Sequence, residues 1–216
     1  MTRGHLAIAA VALALGGCAA GGSPAAGSAS LNPSPIDAEQ LVEGIDATLP
    51  AGTYTHEAFE PRITFDLDAG WVGTHLNPDF FDVQVDPDTP DVVAVQFARP
   101  TVIHTSIIQT DETAGAAEAA ASLAANGTLE ATEPEATVVD GRPGVRITVT
   151  ARLNAQTPIL AVEVGTLSIL AGRRLELTFV DLPDGLLAIM VGGSVADWDR
   201  AMTLSEPVLA SVRIGP

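Results

Sequence analysis

Three aspartates within six residues, Asp86-Pro-Asp88-Thr-Pro-Asp91, place carboxylate oxygens where a hard cation such as calcium could use them. The run lacks the glycine and the distal glutamate of an EF-hand loop. Its two prolines suit a solvated turn between strands equally well, so Asp86, Asp88 and Asp91 are a candidate set only and no metal is expected. His56, His75 and His104 are far apart in sequence and lack the i, i+4 spacing that puts two imidazoles on one helix face for zinc. Gly192-Gly193-Ser194-Val195-Ala196 approaches the Gly-x-Ser-x-Gly elbow of serine hydrolases, but its last glycine is missing, and Ser194 reads as a helix cap. The chain contains no lysine, which removes Schiff-base and Walker chemistry. Among 27 acids, pairs suited to acid–base work cannot be singled out. Tyr54, Trp71 and Trp198 are candidate ligand-binding aromatics, because such side chains line apolar pockets; with nine aromatics in all, the core needs them as much. These residues assemble no catalytic constellation and call for no cofactor.

Composition narrows the partners. The 216 residues carry ten Arg against 27 Asp plus Glu, a net charge of −17. No basic cluster exists to neutralise several phosphates, so nucleic acid is excluded as a partner. With 47% apolar and 17% charged residues the chain can bury a sizeable core.

Arg3 is followed by Leu6 to Leu15, ten apolar residues without charge, half the roughly 20 needed to span a bilayer as a helix. That is the layout of a secretory signal. Leu15-Gly16-Gly17-Cys18 follows at once and resembles the lipobox of bacterial lipoproteins. The resemblance implies that residues 1–17 are removed and that Cys18, the one cysteine, becomes the lipidated first residue. Each buried CH₂ would then contribute about 0.8 kcal/mol of membrane attachment. The alternative is an ordinary secretory peptide with an incidental Cys18. Residues 18–35 read as the lipidated cysteine and a tether: fifteen of the seventeen from Ala19 to Pro35 are Ala, Gly, Ser or Pro, a coil of roughly 20–25 Å. All acids lie beyond it, so the mature chain has nine Arg against 27 acids, a net −18 that an anionic bilayer repels.

From residue 36 to 216 a single domain is expected. Alternation with period two predicts half-buried strands. Ile63, Phe65 and Leu67 oppose Arg62, Thr64 and Asp66; Phe81, Val83 and Val85 oppose Asp82 and Gln84; Val93, Val95 and Phe97 follow the same rule. Arg146, Thr148 and Thr150, like Arg174, Glu176 and Thr178, form the wet faces of two more. One wet face per strand favours an antiparallel sheet over a parallel one. Asp140-Gly141, Ala171-Gly172 and Pro183-Asp184-Gly185 supply the turns. Helices are predicted over residues 37–45, over 113–125, and from Ser194 onward with an apolar stripe through Trp198, Met202, Ser205 and Leu209. Pro207 should kink or restart the last one.

Several strings together resemble a group of exported actinobacterial proteins similar to the PsbP and Mog1 families and to LpqN-like lipoproteins. They are Leu49-Pro-Ala-Gly-Thr-Tyr54, Phe59 to Phe65 leading to Gly70-Trp71, Val139 to Gly144, and Asp197-Trp198 through Ile214. The resemblance implies an α+β fold, an antiparallel sheet of about six or seven strands with helices packed on its faces. It implies no reaction.

The expected protein is a lipid-anchored, extracytoplasmic, non-catalytic binding or accessory module on the cell membrane, with a protein or small-ligand partner. Two other readings have their own requirements. A carrier of a small apolar ligand needs a cavity between sheet and helix, and a hydrolase needs titratable groups converging in a cleft.

Overall fold

The computed structural model describes residues 38–41, 48–106, 110–111, 115–152 and 156–215, all within the compact unit Asp37–Pro216. Its elements, in chain order, begin with β1 (Glu39–Gln40), β2 (Gly52–Thr55), β3 (Ile63–Leu67), β4 (Val72–Leu76), β5 (Phe80–Val85), β6 (Val93–Ala98), β7 (Val102–His104) and β8 (Thr110–Asp111). Helix α1 (Ala116–Ala124) follows, then β9 (Leu129–Ala131), β10 (Glu135–Val139), β11 (Arg142–Ala151), β12 (Thr157–Val162), β13 (Gly165–Ile169), β14 (Arg173–Leu182) and β15 (Gly185–Ser194). Helix α2 (Trp198–Ser211) and β16 (Arg213–Ile214) end the chain.

Eight strands make the central antiparallel sheet, ordered β10-β11-β14-β15-β6-β5-β4, with β9 pairing the far half of β11. It is larger than the six or seven strands expected, because β9 and β10 share one partner. Two four-stranded sheets, β1-β2-β3-β16 and β13-β12-β7-β8, flank it. The apolar run Leu186 to Val191 lies in β15, between β14 and β6, as a strand buried on both faces must. Asp140 and Gly141 join β10 to β11 with φ of 49° and 74°, the left-handed pair that a two-residue hairpin requires.

Alternation along these strands sends side chains into two cores. On one face Phe81, Val83, Val95, Phe97, Leu187 and Ile189 pack against Tyr54, Ile63 and Phe65 of the small sheet and Ala201 and Val208 of α2. On the other, Phe80, Leu175, Leu177, Phe179, Ala188 and Met190 meet Ala119, Ala120 and Leu123 of α1 and Ile103, Ile159 and Leu160 of the third sheet. Phe81 and Phe97 are cross-strand partners stacked at 4.6 Å. Phe65 stacks on both, at 6.0 and 5.2 Å, and Phe59 meets Phe81 edge-on at 4.9 Å. Four of the six phenylalanines therefore form one cluster between the two sheets.

The helices depart from expectation in three places. Residues 39–40 form a strand, pairing β2 in parallel, where a helix over 37–45 was expected; the neighbouring polar Glu39 and Gln40 are simply edge positions, and the rest of that segment lies outside the described residues. Ser194 ends β15 instead of capping α2, since its backbone still pairs with Arg173, and Asp197 takes the N-cap position. Helix α2 runs through Pro207 without restarting, and its buried stripe is Ala201, Ser205 and Val208, with Met202 only partly covered. The Ser205 hydroxyl donates to the Ala201 carbonyl at 2.6 Å, which satisfies it inside the core.

Phe81→Ala should cost about 3–5 kcal/mol in urea unfolding, because it removes the ring that three other phenylalanines contact. Val138→Thr, at a side chain 68% exposed, should change stability by less than about 0.5 kcal/mol.

Candidate functional site

The small sheet and α2 cover only part of their face of the central sheet. Helix α2 packs chiefly on β3, β6 and β15, and meets β14 at its first turn, through Trp198. Over β11 and β14 the face is polar in register: Arg146 pairs with Thr178, Thr148 with Glu176, and Thr150 with Arg174. These are the wet faces read from the sequence. Beside α2 they floor an open trough made of three linked hollows of about 410, 170 and 500 Å³, which share Thr132 and Thr148, then Arg146 and Glu176, as common walls. Met202, Glu206 and Leu209 of α2 form the other side of the largest.

Trp198 closes one end of the trough. Opposite Arg174 in the ladder is Gly193, and a Cβ there would lie 2.5 Å from the Ala201 Cβ and 3.3 Å from the Trp198 ring. The missing side chain lets the first turn of α2 lie directly on β15. Arg174 then passes over the indole at 5.4 Å, a cation–π contact. Its neighbour Arg173 faces the other way and donates to the carbonyls of Pro90, at 2.9 Å, and Val92, at 2.5 Å. Burial pushes the half-buried Glu176 carboxyl above its ordinary range, against the pull of Arg146 and with a further push from Glu135.

The other candidates are placed elsewhere. Tyr54 and Trp71 are buried in the core between the sheets, 1% and 2% exposed, and the Tyr54 hydroxyl donates to the Pro50 carbonyl at 2.9 Å. Asp86 pairs with Arg200 at 2.5 Å, and Arg200 also donates to the Asp91 carbonyl at 2.9 Å. Asp86 and Asp88 both have positive φ, 52° and 61°, so the run is a tight turn clamped by Arg173 and Arg200. Among the described residues no group of three His, Cys, Asp or Glu could hold a metal. Cys18, the signal and the tether lie outside the described residues. Among the described residues no helix is long and apolar enough to cross a membrane.

Sequence reasoning missed one buried hub. Asp82 is fully buried on β5, and its carboxylate accepts from the Thr74 hydroxyl at 2.5 Å, the His75 amide at 2.9 Å and Gln84 Nε2 at 2.7 Å, with His75 Nδ1 at 3.1 Å. Burial pushes its pKa up, but the bonds from His75, Thr74 and Gln84 outweigh that and hold it below the ordinary range. A bulge between Gly73 and His75 is what brings Thr74 and His75 to one carboxylate, and no sequence motif announces a bulge. His56 is buried against Phe81 and lies 3.2 Å from the Asn77 carbonyl through Nε2; burial lowers its pKa and that bond recovers part of the loss.

No family model and no curated protein matches the chain. Among solved structures it is similar to the solution structure of cyanobacterial PsbP (CyanoP) from Synechocystis sp. PCC 6803, at 15% identity and a TM-score of 0.43, over 79% of this chain and 96% of that one. A superposition that loose assigns no family.

Two predictions follow from this geometry. Gly193→Ala should lift the start of α2 and cost about 1–3 kcal/mol, with a red shift in tryptophan emission as Trp198 becomes wetter. Acid should destabilise the fold in two stages. The lowered pKa of His56 gives stability that is present above its ordinary 6.5 and is lost as pH falls toward the folded value. The lowered pKa of Asp82 gives stability present above 3.8 and lost as pH falls below it. His56→Gln should flatten the first stage of a urea-midpoint against pH curve, and Asp82→Asn the second, at a cost of about 2–4 kcal/mol at neutral pH.

Proposed function

We propose that the chain is a bacterial lipoprotein, held on the extracytoplasmic face of the cell membrane through lipid on Cys18, whose folded unit is a non-catalytic binding or accessory module. The observation that carries the tether is the position of the one cysteine: it closes Leu15-Gly16-Gly17-Cys18 directly after an uncharged apolar run too short to span a bilayer. Charge supports the same division of labour. A mature chain with nine Arg against 27 acids gains nothing from an anionic surface, so attachment falls to the acyl chains. The residues 18–35 give the folded unit room to face a partner.

The binding half of the reading is supported by the trough beside α2. Its floor is the β11–β14 ladder, and one end holds the partly buried Trp198 under Arg174. Aromatic and arginine side chains on a fixed scaffold are what interaction sites concentrate. The partner is a protein or a small ligand.

Growth with labelled palmitate tests the tether. Wild-type protein should carry the label and sediment with membranes, whereas Cys18→Ala should be unlabelled. Equal labelling of the two would reject the anchor.

A further inference from the structure

The fold has a second concavity, away from the trough. At one end of the sandwich the β2–β3 loop, the β14–β15 turn, the first residue of β11 and Gly215 surround a cleft of about 620 Å³. That size lies within the range of small-ligand clefts. Phe59, Pro61, Leu182 and Pro183 give it an apolar lining, with Phe59 fully buried beneath.

Its walls are tied together by side chains from distant elements. Arg99 of the β6 end, with a side chain 18% exposed, donates through Nη1 to the Glu60 carbonyl at 2.7 Å and through Nη2 to the Asp184 carbonyl at 3.2 Å. The same Nη2 lies 3.3 Å from the Asp184 carboxylate, which it neutralises. Gly215 donates to the Arg62 carbonyl at 2.8 Å, and Asp140 accepts from the Ile214 amide at 2.8 Å. The cleft is therefore preorganised, which lowers the ordering cost of filling it.

Its charges are arranged unusually for this chain. Acids outnumber arginines three to one in the mature chain, yet Arg62 and Arg142, both lining the cleft, form no ion pair among the described residues. Glu57 and Glu60 are exposed on the same rim and form none either. A ligand with only a carboxylate would meet the two glutamates unanswered, and one with only an ammonium would meet the two arginines. A molecule with both charges and an apolar body answers every group in the lining.

We infer that this cleft binds a short zwitterionic peptide with apolar side chains. Arg62 and Arg142 receive the terminal carboxylate, Glu57 and Glu60 the terminal ammonium, and Leu182 and the two prolines, backed by the buried Phe59, the side chains. Arg99 is a positioning residue that ties the two loops together at a fixed spacing. The inference deepens the binding-module reading and rests on it, but the palmitate experiment decides the tether independently of the outcome here.

The test is calorimetric titration of the full-length chain in detergent with the dipeptide Leu-Leu, its N-acetyl derivative and its C-terminal amide. The unmodified dipeptide should bind, and blocking either end should weaken it at least about tenfold, the scale of losing a charge-assisted contact. Arg62→Gln and Arg142→Gln should each weaken the free dipeptide by a similar factor and leave the amide's affinity unchanged. Arg62 is exposed, so its variant keeps the fold and carries the test if Arg142→Gln does not. No binding of the free dipeptide, equal binding of the blocked forms, or full affinity in Arg62→Gln would overturn the inference.

Discussion

The stack of Phe65, Phe81 and Phe97 is the contact on which the layered fold depends. Two of these rings are opposite one another on adjacent strands of the large sheet, and the third comes from a separate sheet, so the stack joins two layers that share no strand ladder among the described residues. Each aromatic pair adds roughly 0.5–1.5 kcal/mol beyond its buried area. The position of the small sheet in turn fixes where α2 can sit, because the helix packs on β3 as well as β15 and β6. The trough exists because the helix, held there, leaves β11 and most of β14 uncovered.

Arginine is scarce in this chain, and four of the nine described arginines are used on main-chain carbonyls. Arg99 ties two loops, Arg173 and Arg200 clamp the turn through Asp86 to Val92, and Arg213 donates to Val212. A carbonyl is a weaker partner than a carboxylate, but it belongs to the backbone and fixes the loop itself. Asp181 plays the converse part for α1: its carboxylate accepts from the Ala116 amide at 2.7 Å, capping from a neighbouring strand a helix whose own N-cap residue is Gly115.

Strands were legible wherever one face is buried and the other wet, as along β3, β11 and β14, because period two then survives in the sequence; β5 and β6, expected to have one wet face, are instead covered on both faces because each core takes alternate side chains from them. The hairpin at Asp140-Gly141 was legible for the same local reason: its residue types match the left-handed turn. What escaped depends on register between distant segments. Trp198 and Arg174 meet only because Gly193 happens to be the ladder partner of Arg174, and the four bonds onto Asp82 need a bulge in the adjacent strand. The start of α2 was placed three residues early, since Ser194 has the chemistry of a cap and only its pairing with Arg173 shows that it is still strand.

One feature of the ladder bears on how such molecules tolerate crowding. At one rim of the large sheet, β9 and β10 divide a single partner strand between them, separated by a stretch that contains Pro134, which has no amide hydrogen to offer. At the opposite rim, β4 is interrupted by its bulge. Neither border presents a long, straight row of donors and acceptors onto which a neighbouring copy could add its own strand. The large sheet is thereby a poor template for growth edge to edge into fibrils.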